Sequence, residues 1–88
     1  MARAVVDPEE LRRFALELKR FNTEVQGQAT AIQRRFARLG ETWQDQEHAK
    51  FAEEFEKMLQ SLNRFVDTSD KHIPILLRKA QKIQEYLG

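Results

Sequence analysis

A heptad repeat in the C-terminal half constrains the fold of this chain more than any other feature of its sequence. Between residues 52 and 87, apolar residues recur at alternating steps of three and four, and only Ser69 interrupts the series. The repeat consists of Ala52, Phe55, Leu59, Leu62, Val66, Ile73, Leu76, Ala80, Ile83 and Leu87. This spacing places the apolar side chains along one side of a helix that packs against another helix. It predicts a long helix over about residues 46–86.

Pro74 lies inside this repeat. A proline within a helix removes one backbone hydrogen bond and clashes with the carbonyl group four residues earlier, here that of Asp70. The repeat stays in phase on both sides of the proline. We therefore predict either a continuous helix that is kinked near Pro74, or two coaxial segments that break near residues 70–73.

The start of an earlier helix is marked by several signals at residues 6–11. Asp7 is suited to cap the free N–H groups of a helix start, and Pro8 fits the first helical position. Glu10 has the spacing of the reciprocal partner in a capping box, and Val6 and Leu11 have that of a hydrophobic staple. The sequence therefore predicts that this helix begins at Pro8.

An apolar stripe runs along this first helix at steps of mostly three and four. It consists of Leu11, Phe14, Leu18, Phe21, Val25, Ile32, Phe36 and Leu39. The predicted helix therefore covers about residues 8–39. Gly27 lowers the helix propensity by about 1 kcal/mol relative to Ala. We interpret Gly27 either as a point where another helix backbone approaches closely, or as a plain surface glycine or slight bend.

The connection between the two helices is predicted at about residues 40–45. Gly40 follows the last turn of the first helix, where a glycine often takes the left-handed conformation that ends a helix. Asp45, or alternatively Thr42, is suited to cap the second helix. The chain is thus predicted to be a single all-α domain over residues 1–88, folded as an antiparallel helical hairpin.

The two apolar stripes meet along the hairpin when the numbers of facing residues sum to roughly 85. This register places Ile32 near Ala52, Val25 near Leu59, Leu18 near Val66, and Leu11 near Pro74. The longer second helix extends beyond the start of the first. Its last apolar residues, Ile83, Tyr86 and Leu87, therefore extend past the start of the first helix. They need to be covered by Val5 and Val6 of the N-terminal segment, or by another chain.

Both helices are apolar over more than the one seam that a hairpin covers. A small domain of this size gains only ~3–5 kcal/mol from a single core, and exposed clusters of aromatic residues usually mark an interface. We therefore predict that two hairpins form a four-helix bundle, as a homodimer or with a related second chain. The predicted core and interface residues are Phe14, Phe21, Val25, Phe36, Phe51, Phe55, Met58, Leu59, Leu62 and Phe65.

Composition argues against several classes of function. The chain has 88 residues, no Cys and a formal net charge of +1, which disfavours a thiolate metal site and bulk electrostatic binding of nucleic acid. No apolar segment is long enough for a membrane span, and no signal-peptide core is visible at the N-terminus. His48 and His72 are separated by about 36 Å along one helix, so they cannot share a site within one chain. We expect no enzymatic activity and no cofactor, and we interpret both histidines as surface or interface residues.

The predicted turn carries a short motif, Trp43-Gln44-Asp45, near the middle of the chain. Together with Leu39, Ala49, Phe51 and Phe55, this motif resembles the WXG-motif family of small helical hairpins. The resemblance implies a dimeric substrate or partner of a type VII secretion system. It also implies that Trp43 helps to form a surface that the membrane ATPase of that system recognises, although Trp43 has an alternative role in only closing the end of the hairpin. The resemblance places the protein outside the cell without a cleavable signal peptide, or in the cytoplasm before export.

Two departures from the family pattern are visible. Asp45 stands where the family usually has Gly, and Asp tolerates unusual backbone angles and caps helices well. The family's C-terminal export signal, a Tyr followed four residues later by Asp or Glu, is not completed after Tyr86. The alternative function is therefore a cytosolic helical interaction module or small chaperone with no role in export.

Overall fold

The computed structural model describes residues 6–88 as two long helices joined by a short turn. Helix α1 spans Pro8–Leu39, and helix α2 spans Gln46–Leu87. The helices pack side by side along an elongated molecule of 63 × 24 × 16 Å. The predicted antiparallel helical hairpin is confirmed, whereas its pairing into a four-helix bundle remains a prediction.

Helix α1 begins with an N-cap at Asp7, whose carboxylate accepts a hydrogen bond from the Glu9 backbone N–H at 2.9 Å. Pro8 occupies the first turn, where its missing N–H leaves no partner unsatisfied. The reciprocal bond predicted for the Glu10 side chain is not among the hydrogen bonds of residues 6–88. Instead, the Glu9 carboxylate accepts a hydrogen bond from the Arg12 guanidinium at 3.1 Å. The negative charges of Glu9 and Glu10 in this first turn also interact favourably with the positive end of the helix dipole.

The core of the hairpin is thin because each helix covers only one side of the other. Four apolar side chains are buried among residues 6–88: Ala15, Val66, Ile73 and Ala80. All of those on α2 belong to the predicted heptad repeat. Two of the four are alanines, whose small side chains let the helices approach closely. Most of the larger apolar side chains are therefore only partly covered by the hairpin itself.

A polar contact lies inside this core, and the sequence pattern did not predict it. Asn22, which is 2% exposed, donates hydrogen bonds from Nδ2 to Ser69 Oγ at 2.9 Å and to Asp70 Oδ1 at 2.8 Å. The predicted register places Asn22 opposite residue 63, and the two observed partners lie about two helical turns further along α2. The adjacent contact between Phe21 and Phe65 agrees with the predicted register, so the helices themselves are not shifted. Nearer the turn, Phe36 contacts His48 and Phe51, as that register predicts.

Helix α2 continues through Pro74 without a break. The alternative of two segments separated near residues 70–73 is therefore wrong. Pro74 is exposed, so its ring is not part of the buried seam between the helices. The interpretation of Gly27 as a point of close helix approach is also wrong within the hairpin, because a Cβ atom added there would meet nothing within 4 Å.

The C-terminal end of α2 remains largely uncovered. Tyr86 is 90% exposed and Leu87 is also exposed, whereas Ile83 is half-buried. Val6 is half-buried, and Val5 lies outside the described residues. The described part of the N-terminal segment therefore does not cover Tyr86.

Candidate functional site: the turn and the apolar face

The turn between the helices is held by backbone hydrogen bonds to the last residues of α1. The backbone N–H groups of Thr42 and Trp43 both donate to the Leu39 carbonyl, at 3.1 and 2.9 Å. The Gln44 amide donates to the Gly40 carbonyl at 3.3 Å. Gly40 has φ −64° and ψ −14°, which is the right-handed helical region. The predicted left-handed conformation at Gly40 is therefore wrong, because these bonds extend the helical geometry into the turn.

Asp45 caps α2 by accepting a hydrogen bond from the His48 backbone N–H at 3.1 Å. Its backbone is extended, with φ −104° and ψ −174°, so this position does not need the conformational freedom of glycine. The alternative cap, Thr42, instead donates its hydroxyl to the Leu39 carbonyl at 3.3 Å. The Asp in the motif therefore has a structural role of its own at the start of α2.

An aromatic cluster closes this end of the hairpin. The Phe36 ring stacks on the His48 ring, with centroids 4.9 Å apart and an interplanar angle of 6°. The half-buried Trp43 meets the same imidazole edge to face at 5.0 Å. Phe36 also packs edge to face against two rings of α2, with its centroid 5.5 Å from that of Phe51 and 5.0 Å from that of Phe55. The indole thus contacts the start of α2 at His48.

Large apolar side chains lie exposed along one side of the hairpin, and we call this surface the apolar face. Phe14 and Phe21 on α1, and Phe51, Met58 and Phe65 on α2, are spaced at intervals of seven, which keeps them on one side of each helix. Each side chain on the apolar face is between 43% and 53% exposed; the full set is Phe14, Phe21, Ile32, Phe51, Met58 and Phe65. This surface is unusually apolar for a soluble monomer.

Two grooves indent the apolar face. The larger, about 1090 Å³, lies between the turn-proximal halves of the helices and includes Val25, Leu59 and Leu62 in its lining. The smaller, about 600 Å³, lies nearer the open end and includes Leu18 and His72. Phe21 lines the larger groove and Phe65 the smaller, and their rings meet edge to face at 6.2 Å. This pair of rings forms a ridge at the middle of the hairpin.

The predicted site residues thus fall into three groups. The first consists of exposed side chains on the apolar face: Phe14, Phe21, Phe51, Met58 and Phe65. The second consists of half-buried side chains of the aromatic cluster and groove floor: Val25, Phe36, Phe55, Leu59 and Leu62. The third is the turn motif, in which Trp43 is half-buried and Gln44 and Asp45 are exposed.

Ile32 and His48 have a place in these surfaces, and neither is among the predicted site residues. Ile32 lines the larger groove, and its position in the α1 stripe was the signal that could have identified it. His48 contacts Trp43 directly, although we interpreted it only as a surface or interface residue. Its signal is its place three residues after the Asp45 cap, because side chains in a first turn lean back towards the helix start.

The described residues offer little for metal or redox chemistry. No group of three or more His, Asp or Glu side chains in residues 6–88 is placed to hold a metal ion. His72 Nδ1 lies 2.9 Å from the Thr68 carbonyl, so it is engaged with its own helix. Within the same residues, neither helix is both long and apolar enough to cross a membrane.

Residues 6–88 thus form a small helical hairpin with a tryptophan at its turn and large apolar side chains exposed along one side. The model of the WXG100 family, described as proteins of 100 residues with WXG, matches residues 5–86. The chain therefore belongs to the WXG100 family. Proteins of this family are small, helical and associated with type VII secretion, and they generally pair with each other as dimers. No curated protein and no solved structure matches the chain significantly.

Proposed function

We propose that this chain is a substrate or adaptor of a type VII secretion system and acts as a dimeric helical interaction protein. In this role the protein presents a folded surface to the export machinery and catalyses no reaction. The single observation that carries this proposal is the apolar face, which the hairpin leaves uncovered in a chain that belongs to the WXG100 family. A partner is needed to shield that face from water.

The proposed partner on the apolar face is a second copy of the chain or a related chain of the family. Six large apolar side chains that are about half exposed are a strong driving force for association. The ridge of Phe21 and Phe65 lies near the midpoint of both helices, so a second hairpin could cover both grooves at once. The product is a four-helix bundle, in which each hairpin supplies the missing half of the other's core.

The proposed recognition element is the turn motif Trp43-Gln44-Asp45, with the secretion ATPase as its reader. The indole is half-buried, and it lies at one tip of a molecule 63 Å long. Most of the apolar face extends away from this tip, so the motif stays accessible when the face is covered. A partly exposed indole offers both apolar area and an N–H donor to a partner.

The test is export of a Trp43→Ala variant from the native host, with Gln33→Ala as a control at an exposed position on α1. We expect the unmodified chain and the control to accumulate in the medium with the same mass as in cells. The Trp43→Ala chain should stay inside, while light scattering shows that its dimer is intact. Normal export of Trp43→Ala would contradict the recognition role of Trp43. Retention of the unmodified chain, while other substrates of the system are exported, would favour a cytosolic interaction module instead.

A further inference from the structure

We infer that His48 is a positioning residue for Trp43, and that it holds the indole in the orientation in which the turn is recognised. This inference rests on the proposed role of Trp43. It concerns a residue outside the three-residue turn motif, and three contacts of the His48 side chain and backbone carry it.

The first contact fixes the position of the His48 backbone. The Asp45 carboxylate accepts a hydrogen bond from the His48 backbone N–H at 3.1 Å, so the backbone of His48 is tied to the turn. His48 is the third residue of α2. Because side chains on a helix lean towards its N-terminus, the imidazole is directed back over the turn.

The second contact fixes the plane of the ring. Phe36, in the last part of α1, stacks on the imidazole almost in parallel, with centroids 4.9 Å apart. Phe36 is itself held edge to face by Phe51 and Phe55 on α2. The imidazole therefore has little freedom to rotate. Trp43 meets the imidazole ring edge to face, with centroids 5.0 Å apart and an interplanar angle of 87°. We infer that the orientation of the indole depends on the orientation of this ring.

The third contact is the fit against Gly40. A Cβ atom at Gly40 would lie 3.3 Å from His48 Nε2, which is tighter than ordinary van der Waals contact. Nε2 is buried and has no hydrogen-bond partner among residues 6–88. Packing against Phe36 and Gly40 therefore holds the imidazole ring in place, and Nε2 contributes no hydrogen bond. Asp45, His48 and Gly40 together form the support for Trp43.

Trp43 is the single tryptophan of the chain, so its fluorescence reports on this support without interference. The test compares His48→Ala, which removes the ring, with His48→Phe, which keeps an aromatic ring of similar shape. Glu47→Ala is the matched control, because Glu47 is the exposed neighbour of His48 in the same helical turn. Time-resolved anisotropy measures the rotational freedom of the indole, and export is measured per folded dimer recovered from cells.

We expect His48→Ala to make the indole rotate faster and to lower export per dimer by about two- to tenfold, the range that corresponds to losing one aromatic pair. His48→Phe should restore most of both properties, and Glu47→Ala should change neither. The helix content and the mass of the dimer should be the same in all four proteins. Normalising to folded dimer separates orientation of the indole from a general loss of stability.

Unchanged indole rotation in His48→Ala would overturn the inference, and so would full export of a chain whose indole has been freed. Failure of the proposed function has a different signature. In that case Trp43→Ala is exported normally, and the anisotropy of His48→Ala still decides whether His48 orients the indole.

Discussion

Asn22 donates a hydrogen bond to Ser69 across the centre of the hairpin, with 2.9 Å between Nδ2 and Oγ. Both residues are buried within an otherwise apolar seam. The turn between Leu39 and Gln46 is short, so it restricts how far the two helices can slide past each other. The buried polar pair meets in this alignment, whereas a shifted alignment would leave both side chains without this partner. Asn22 and Ser69 therefore reinforce the register that the turn sets.

Replacing Asn22 with Ala should destabilise the hairpin. The substitution removes the hydrogen bonds to Ser69 and Asp70 and leaves a small cavity. It also removes the Asn22 Oδ1, which is buried without a hydrogen-bond partner among residues 6–88, so we expect the free energy of unfolding to fall by only about 1 kcal/mol. Thr23→Ala is the control, because Thr23 is exposed and bonds only within its own helix turn. Urea unfolding followed by circular dichroism measures both variants. Equal stabilities of the two variants would argue against a role of Asn22 in the core.

Placing a charge at Phe65 should prevent dimerisation. In the proposed dimer the Phe65→Glu carboxylate would be buried without a partner, at a cost of several kcal/mol. The hairpin itself should remain helical, because Phe65 is about half exposed within it. Light scattering should therefore give the mass of one chain. Gln60→Glu, an exposed substitution on α2 outside both grooves, should remain a dimer. A Phe65→Glu protein with the mass of a dimer would place the interface elsewhere.

Changes at Asp45 test whether this residue acts as a helix cap or only replaces a family glycine. Loss of the cap in Asp45→Ala should lower the free energy of unfolding by about 1 kcal/mol, whereas Asp45→Gly should lower it by only a few tenths. In urea unfolding, the unmodified protein should therefore be the most stable, Asp45→Gly slightly less stable, and Asp45→Ala the least stable. If Ala is as stable as Asp at this position, the hydrogen bond to the His48 N–H does not contribute measurably.

Alanine substitutions at Gly27 and Gly40 should have different effects, although both glycines have helical backbone angles. Within a single hairpin, Gly27→Ala should raise the free energy of unfolding by about 1 kcal/mol, because alanine has the higher helix propensity and its Cβ would meet nothing. Gly40→Ala should give no gain, because its Cβ would press on His48 Nε2, and Phe36 and Trp43 hold that ring in place. Thermal unfolding of the two variants makes the comparison. A gain at Gly40 equal to that at Gly27 would show that the imidazole moves aside easily.

The sequence by itself determined the hairpin, because local signals set its elements. Asp7 and Pro8 mark the start of α1. The apolar residues that recur at steps of three and four mark the side on which each helix packs. The motif at Trp43 was also sufficient to indicate the family. These features depend on residues close together in the chain, so their pattern can be recognised without coordinates.

Only the tertiary structure decided how distant residues meet. Ser69 looked like an interruption of the heptad repeat, yet it is a buried partner of Asn22, because its role depends on a residue on the other helix. The tertiary structure likewise revealed that His48 contacts Phe36 and Trp43, and that Gly40 keeps a helical backbone. Periodicity defines which side of each helix is apolar, but it leaves the axial alignment of two helices nearly degenerate. The short turn limits the possible alignments, and polar pairing and the packing of individual rings stabilise one of them. The pairing and the packing exist only once the chain has folded.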